Sequence, residues 1–444
     1  MSPQGRVVDS YVPRHGDLSF DALHYDVVLD YRVDGNHLSA TTVVSAVAVE
    51  SLDRVELDLH GLAVTKVLVD GARPARYIHR AGRLGIRLTA PVQPGQTFSI
   101  LVAYQGTPTT IHGPQGEAGW EELHDGVIVA AQPHGAPSWL PCNDRPANKA
   151  TYRFEVTTAS PYHVTANGML VGQQRRASRT TWVYEQTQPM ATYLATLQIG
   201  RYQSRILATS PAPIAVVCSA AVAGRAEIAL AHQAEMMRTF VRLFGPYPFD
   251  GYTVVITDDV LEIPLESQGL ATFGSNFATT SWDHQRLVAH ELSHQWFGNS
   301  LTLRAWRDIW LHEGFACYAE WLWSEESGGV SADQWARVHW ERLSRLPHTI
   351  ILADPTPEQM FDDIVYKRGA LTLHALRLTL GDAVFFGLLR GWVQDNRHGS
   401  VTTGMFLAHA QAHAGRPLGT VLDPWLFGLA LPALPPERPR SAGA

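Results

Sequence analysis

The sequence predicts an α+β protein in which an N-terminal, antiparallel all-β domain is followed by a mostly helical domain. From about Tyr25 to Tyr202, short runs of alternating apolar and polar residues are separated by Gly, Pro and Asn. After Ser281 the apolar residues recur with a helical period instead. The pattern changes near residue 205. We therefore expect a β domain over residues 1–205, a helical domain over 206–435 and a flexible tail over 436–444.

The expected strands are short and end at turn residues. The clearest one covers residues 55–59, where apolar and acidic residues alternate until Gly61 breaks the run. Further strands are expected over 64–69, 84–88, 98–104 and 152–156. Strands of this length, punctuated so often by turns, are typical of antiparallel sheets.

The helical part begins with a run from Arg225 to Phe244, which Gly245 and Pro246 end. Residues 252–257 then read as a buried strand. Six more helices are expected, over 282–298, 306–326, 331–346, 366–380, 383–396 and 402–414.

Composition narrows the classes of partner. The net charge is −7 and no long basic run occurs, so we expect no nucleic-acid partner. The three cysteines are far apart in the sequence, which suits a reducing compartment rather than a disulfide scaffold. The first 20 residues lack the apolar core of a signal peptide, and no apolar run approaches the about 20 residues of a membrane helix. These features predict a soluble, cytoplasmic protein without a membrane partner.

A metal site is indicated by His290-Glu291-Leu292-Ser293-His294, which has the pattern HExxH. Residues four apart lie on one face of a helix, so both imidazoles can reach one ion. Zinc needs a third protein ligand and leaves its fourth position for water. Glu313 follows His294 after 18 residues, which is enough for the chain to turn and return a second helix beside the first. The sequence therefore predicts one Zn²⁺ per chain, bound by His290, His294 and Glu313.

Glu291 has a different expected role because it points about 100° around the helix from His290. A carboxylate beside the open position of the metal can take a proton from water and deliver it to a leaving amine. Glu320 and Asp308 are candidate partners for the other ring nitrogens of the histidines, with a solvated helix face as the alternative for each. Cys317 is interpreted as a small buried hydrophobe and His312 as an ordinary histidine.

These motifs together resemble the M1 family of zinc aminopeptidases. The family signature is HExxH, 18 residues and a Glu within a WLNEGFA-like segment, which reads WLHEGFA at 310–316 with His312 in place of Asn. The stretch PCNDRP at 141–146, followed by Lys149 and Ala150, resembles another family motif. The resemblance covers roughly residues 20 to 400. It implies a thermolysin-like catalytic domain and substrates that are peptides with a free N-terminus.

Three more site residues are implied by the resemblance. Glu266, in the segment IPLES at 263–267, matches the Glu of the family's GxMEN motif, which binds the substrate's α-amine. Gln132 occupies the position of a family Gln or Glu that also holds the amine. Tyr366 matches the tyrosine that stabilises the developing oxyanion, a task that suits a phenol donor.

The sequence departs from the family pattern in two respects. Ile263, Leu265 and Ser267 replace the Gly, Met and Asn of GxMEN, which puts the usual substrate geometry and the first-residue specificity in doubt. Typical members also continue through a small β domain and a long helical domain, and the resemblance therefore implies a short form. A short form would have a more open site, for which oligomerisation or local loops would have to limit access.

Several functional readings remain open. We expect a preference for large apolar or aromatic first residues, because no acidic residue beyond Glu266 marks a pocket for basic ones. A zinc endopeptidase is the alternative within enzymes, and Glu266 argues against it because only an exopeptidase needs an anion for a free amine. A catalytically dead peptide-binding protein is the alternative outside enzymes, and the complete set of ligands and base argues against that. Hydrolysis of an epoxide or another small molecule at the same metal has no positive support.

Overall fold

A computed structural model describes residues 8–436 of the chain. The described residues form two compact units. The first comprises the described residues up to Glu227 together with Phe249–Ala278, and the second comprises Ile228–Pro248 and the described residues from Thr279 onward. Of the flexible tail expected over 436–444, only residue 436 lies within the described residues. The domain boundary expected near residue 205 stays a prediction.

The first unit consists mainly of strands, as the sequence predicts. Those up to residue 130 are β1 (Phe20–Arg32), β2 (His37–Ala48), β3 (Leu52–Asp58), β4 (Ala63–Val69), β5 (Arg76–Arg80), β6 (Arg83–Val92), β7 (Thr97–Gly106), β8 (Thr110–Gly113), β9 (Gly116–Leu123) and β10 (Gly126–Ala130). The remaining ones are β11 (Lys149–Ala159), β12 (His163–Ala166), β13 (Met169–Arg176), β14 (Arg179–Ala191), β15 (Leu197–Gly200), β16 (Gln203–Ala208), β17 (Ile214–Cys218), β18 (Tyr252–Ile256), β19 (Leu265–Ser267) and β20 (Leu270–Phe273).

These strands form four sheets. Seven strands pair in the order β13-β14-β11-β1-β2-β7-β4, five in the order β12-β15-β10-β9-β8, and three in the order β3-β6-β5. In these three sheets the pairing is antiparallel except between β1 and β11, which run parallel with Tyr25 opposite Tyr152. The two tyrosine rings stack at 4.9 Å inside the unit. Burial alternates along β1, which is the period expected of a strand with one face on the core.

The fourth sheet carries one of the predicted site residues. Its order is β16-β17-β18-β20-β19, with parallel pairs between β17, β18 and β20 and an antiparallel edge strand β19. Glu266 lies in β19 opposite Ala271.

Helix α1 (Ala223–Ala229) lies where the chain passes from the first unit to the second. The second unit contains α2 (Gln233–Phe244), α3 (Trp282–Ser293), α4 (Trp310–Glu326), α5 (Ala332–Ser344), α6 (Asp363–Leu380), α7 (Asp382–Asp395), α8 (Thr403–Ala414) and α9 (Gly419–Leu426). Two short parallel strands, β21 (Thr302–Leu303) and β22 (Ser400–Val401), pair within it. Helix α4 is at its centre, because every residue from Trp310 to Ser324 is buried.

The predicted order of a β part followed by a helical part is confirmed, and the differences concern element ends, one divided helix and one additional helix. The helical run predicted over 225–244 is two helices, α1 and α2, separated at residues 230–232, where no Gly or Pro announces a break. Helix α9 was not expected, because Pro424 in its sequence is a helix-breaking signal. No helix among residues 8–436 is long and apolar enough to cross a membrane.

Candidate active site

The two histidines of HExxH lie at the end of helix α3. The helix stops at Ser293, five residues earlier than predicted, but His294 keeps helical dihedral angles (φ −56°, ψ −23°) and its N–H bonds to the carbonyl of His290 at 3.2 Å. The two imidazoles therefore share one face, with ring centroids 4.8 Å apart. Residues four apart thus lie on one face of the helix even though His294 is the helix cap.

Glu313 is brought to these histidines by the connection between α3 and α4, residues 294–309, which includes strand β21. The backbone N–H of Leu303 donates to Nε2 of His312 at 2.8 Å, which ties strand β21 to the first turn of α4. Glu313 lies in that first turn, and its Oε2 is 3.4 Å from Nε2 of His290 and 3.6 Å from Nε2 of His294. His312, interpreted from the sequence as ordinary, thus fixes the turn that positions a ligand.

The ring nitrogens that face away from Glu313 have partners of their own. Nδ1 of His290 is 2.8 Å from Oε1 of Glu320, and Nδ1 of His294 is 3.0 Å from the carbonyl oxygen of Phe297. With the Nδ1 protons donated to these oxygens, both Nε2 atoms keep lone pairs that point toward Glu313. The three buried ligand atoms lie within 4.8 Å of one another, and the Nδ1 atoms of both histidines are already hydrogen-bonded. A tetrahedral zinc site requires such an arrangement.

Charges around the site keep its carboxylates ionised. Burial alone would raise the pKa of Glu320, but the Lys367 ammonium and the hydrogen bond to His290 lower that pKa to about 2, and Arg286 lies 3.1 Å away. The two neighbouring histidines lower the pKa of Glu313 in the same way. Burial would lower the pKa of His290, whereas the hydrogen bonds to the two carboxylates raise it to about 9. A metal ion at Nε2 would take the place of that proton.

The two candidates for outer partners of the zinc histidines differ in the structure. Glu320 is hydrogen-bonded to His290, as one of the two readings from the sequence expected. Asp308 accepts hydrogen bonds from the backbone N–H and the hydroxyl of Thr403, at 3.0 and 2.6 Å, and so secures the start of helix α8. Seven residues separate Glu313 from Glu320, and two helical turns explain why both face the histidines.

Cys317 is buried, as expected, but it is also the partner of a buried cation. Nζ of Lys367 lies 3.1 Å from its Sγ. Burial raises the pKa of the Cys317 thiol to about 12, so the sulfur accepts this hydrogen bond as a neutral thiol. The sequence did not indicate Lys367 and Arg286 as neighbours of Glu320. For Arg286 a signal existed, since it precedes His290 by four residues and shares its helix face.

Tyr366 and Glu291 lie in the same unit as the three ligands. Asp362 caps helix α6 by accepting a hydrogen bond from the N–H of Ile364 at 2.8 Å, so Tyr366 falls in the first turn of that helix. The ring of Tyr366 is nearly parallel to that of His290, with centroids 6.0 Å apart and an angle of 19°. Glu291 is 3% exposed and follows His290 directly in α3.

Helices α4 and α6 approach each other closely through two glycines. An ideal Cβ built on Gly314 would lie 2.7 Å from the Cα of Gly369, and one built on Gly369 would lie 2.6 Å from the Cα of Gly314. Gly314 follows Glu313, and Gly369 lies three residues after Tyr366. The absence of side chains at both positions therefore sets the separation between the helix that carries a ligand and the helix that carries Tyr366.

The two residues matched to amine binding meet in the first unit. Gln132, just after β10, donates from Nε2 to Oε1 of Glu266 at 2.6 Å, although 134 residues separate them in the sequence. Ile263, which stands where the family has Gly, is 62% exposed. The structure thus places Gln132 beside Glu266 in one unit and His290, His294, Glu313, Glu291 and Tyr366 in the other.

The chain is similar to known proteins in both sequence and structure. Residues 21–194 match the model described as the peptidase M1 N-terminal domain, and residues 228–425 match the peptidase family M1 domain. The crystal structure of an M1 zinc metallopeptidase from Deinococcus radiodurans is 34% identical, with a TM-score of 0.90 over 97% of this chain and 100% of that one. This chain belongs to peptidase family M1. Zinc is the metal of this family, and the donor set at His290, His294 and Glu313 fits it.

Other M1 relatives are more distant and longer. Aminopeptidase M1 of Arabidopsis thaliana is 26% identical over 67% of this chain, and human glutamyl aminopeptidase is 26% identical over 69%. The chain spans only 36% and 34% of the lengths of these two relatives. The Deinococcus metallopeptidase, by contrast, is matched over its whole length. A further similar structure, 33% identical with a TM-score of 0.89, is described as a two-domain M1 zinc metallopeptidase.

Proposed function

We propose that this M1 protein is a zinc aminopeptidase, which hydrolyses the first peptide bond of peptides with a free N-terminus. The observation that carries the proposal is the buried group His290, His294 and Glu313, whose ligand atoms lie within 4.8 Å of one another. Membership of family M1 and the aminopeptidase activity named for its relatives support the same reaction.

Each candidate site residue of the second unit has a proposed part in this reaction. Zinc held by the three ligands supplies a Lewis acid that polarises a carbonyl and lowers the pKa of water. The Glu291 carboxylate accepts a proton from the attacking water and donates it to the nitrogen of the leaving amine. The Tyr366 hydroxyl donates a hydrogen bond to the carbonyl oxygen as that oxygen gains negative charge. Glu320 holds the proton of His290 on Nδ1, which keeps Nε2 available as a ligand.

The α-amine of the substrate is assigned to Glu266 and Gln132. The proposal rests on the match of Glu266 to the family's amine-binding motif and on its chemistry, because an ammonium group pairs favourably with a carboxylate. The 2.6 Å hydrogen bond from Gln132 to Oε1 fixes the orientation of that carboxylate. A bound amine would then meet a group that needs little reorganisation.

For the first residue of the substrate we propose a preference for large apolar or aromatic side chains. A variant of the Deinococcus relative has been solved with a Tyr-Ser-Ala substrate, and a similar two-domain M1 zinc metallopeptidase variant has been solved with L-tryptophan and with L-arginine. A panel of aminoacyl-arylamides tests the preference, and higher kcat/KM for Lys or Arg than for Leu, Phe and Tyr would overturn it. A cytoplasmic location and oligomerisation stay predictions.

The decisive experiment compares Phe-arylamide, peptides with free N-termini and the same peptides N-acetylated, for wild type and Glu266→Ala with measured zinc content. Loss of a charge-assisted hydrogen bond of about 1.5–3 kcal/mol predicts a fall in kcat/KM of roughly 10- to 100-fold in the variant. Glu262→Ala is the matched control, because Glu262 is an exposed glutamate four residues earlier in the same segment.

The outcomes separate the alternatives. A zinc-loaded wild type that cleaves only free N-termini, with the loss confined to Glu266→Ala, supports the proposal. Zinc-loaded protein that cuts acetylated peptides equally well is an endopeptidase. Zinc-loaded protein that binds peptides but cleaves none is a binding protein, and both of these results contradict the proposal.

A further inference from the structure

Arg368 is a buried cation that is bonded almost entirely to one short segment of backbone. It lies in helix α6, two residues after Tyr366, and only 2% of it is exposed. Its guanidinium donates to six carbonyl oxygens, those of Ile350, Pro424, Trp425, Gly428, Leu429 and Ala430. Burial without a compensating anion lowers the pKa of Arg368 to about 10, which still leaves the group charged at neutral pH.

The carbonyls that Arg368 binds are ones that need a partner. Helix α9 ends at Leu426, and the last carbonyls of a helix have no intrahelical partner. The residues that follow, 427–430, form no regular structure. A cation at the carbonyl end of a helix is also favoured by the helix dipole. Arg368 therefore closes the end of α9 and holds the segment 424–430, which we call the carbonyl segment, against α6.

Helix α6 is consequently held from two directions. Residue 368 lies about 200° around the helix from Tyr366 and residue 369 about 300°, so the two are about 100° apart. Gly369 sets how closely α6 approaches α4. Arg368, on a different face, ties α6 to the carbonyl segment. Tyr366 is in the first turn of α6, where a helix has the fewest backbone hydrogen bonds of its own and most depends on outside contacts.

We propose that Arg368 is a positioning residue, which holds the first turns of α6 through the carbonyl segment and so places the Tyr366 hydroxyl for the reaction. The inference rests on the role proposed for Tyr366. A planar guanidinium with five N–H donors can serve six carbonyls when one N–H is shared between two of them, whereas a lysine ammonium offers only three donors. The charge of Arg368 alone is thus insufficient, and the geometry of the guanidinium matters.

The test is a double-mutant cycle between Arg368→Ala and Tyr366→Phe with a Phe-arylamide substrate and measured zinc content. Removing an oxyanion donor predicts a fall in kcat of about 10²- to 10³-fold for Tyr366→Phe. A misplaced donor predicts a fall of about 10- to 100-fold for Arg368→Ala, mainly in kcat rather than KM. In the Tyr366→Phe background Arg368→Ala should lower kcat no further, because the group it positions is already gone.

Arg377→Ala is the matched control. Arg377 lies in the same helix, is also mostly buried and bonds to Glu325 and Asp382, but it lies more than two turns beyond Arg368. We expect its loss to lower stability while kcat stays unchanged. A multiplicative loss in the Tyr366→Phe background, or an equal loss of kcat in Arg377→Ala, would show that Arg368 has only a structural role and would overturn the proposal.

Three further measurements keep the proposal testable if Arg368→Ala folds poorly or the chain proves not to be an aminopeptidase. Arg368→Lys keeps the charge with fewer donors, so a folded Arg368→Lys protein with wild-type kcat contradicts the proposal. A cleft lined by Leu343, Ile350, Ile364 and Leu431 among others reaches Arg368, and loss of the arginine side chain would leave room beside it, so millimolar guanidinium should restore kcat to Arg368→Ala. Hydrogen exchange over residues 363–370 tests the hold on α6 without any activity, and unchanged protection in both variants would refute it.

Discussion

Adding one methyl group at Gly369 should disturb both the stability and the chemistry of this protein. In Gly369→Ala the new Cβ would lie 2.6 Å from the Cα of Gly314, which is 0.8 Å short of the 3.4 Å at which ordinary van der Waals contact begins. The obstacle is backbone, so no side chain can rotate away, and helix α6 must move relative to α4. A forced displacement of packed elements costs about 1–3 kcal/mol.

The displacement should matter more for catalysis than for folding. Glu313 precedes Gly314, and Tyr366 lies one helical turn before Gly369, so a shift of nearly 1 Å separates a metal ligand from the oxyanion donor. Misplacement of about 1 Å at a reacting group costs on the order of 10²-fold in rate. We therefore expect Gly369→Ala to lower kcat about 100-fold while zinc content stays close to one per chain.

The control is the same substitution in open space. Gly387 lies inside helix α7, and a Cβ there would meet no atom within 4 Å. Gly387→Ala should therefore stabilise the protein by about 0.5–1 kcal/mol and leave kcat unchanged. Denaturant unfolding and steady-state kinetics measure both effects. If Gly369→Ala behaves like Gly387→Ala in either measurement, the glycine contact does not set the spacing of the two helices.

Two further predictions concern hydrogen bonds to buried carboxylates. Glu320→Ala should weaken zinc binding about 10- to 100-fold in chelator competition, because His290 loses the partner of Nδ1, whereas Glu325→Ala in the same helix should not. The Asp144 carboxylate, 2.6 Å from His15, outweighs burial and raises the pKa of His15 above 6.5, so that the folded state binds a proton more tightly than the unfolded one. The free energy of unfolding of wild type should therefore fall as the pH rises from 6.5 through that raised pKa, and that of His15→Asn should not. If the free energy of unfolding falls equally steeply with pH in both proteins, His15 is not the cause.

The features that the sequence predicted well are those with short, fixed spacing. The helical period places His290 and His294 on one face whatever the rest of the fold does, and the same period relates Glu313 to Glu320. The alternating pattern of the N-terminal strands and the helical pattern after Ser281 fixed the order of the two parts. We could single out Tyr366, Glu266 and Gln132 only through the family motifs, since nothing in the local sequence distinguishes them from ordinary residues.

The features that the sequence did not predict depend on residues far apart in the chain. Arg368 and Trp425 are 57 residues apart, and Lys367 and Cys317 are 50 apart. A buried arginine that binds backbone carbonyls leaves no recognisable pattern in the sequence, because any residue can supply a carbonyl oxygen. The Gly314–Gly369 contact has no pattern either, since a glycine in a helix more often weakens it than marks a close crossing.

These distant contacts make a motif a weaker guide to activity than to metal binding. His290, His294 and Glu313 need only two helices and the turn between them, so a chain that keeps these three residues can keep its zinc. The position of Tyr366 depends in addition on Gly369 and, by our proposal, on Arg368. Substitutions at either position should therefore separate zinc content from turnover, whereas substitution of Glu320 should reduce zinc affinity first. The order in which zinc and activity are lost across these variants shows which contacts serve the metal and which serve the reaction.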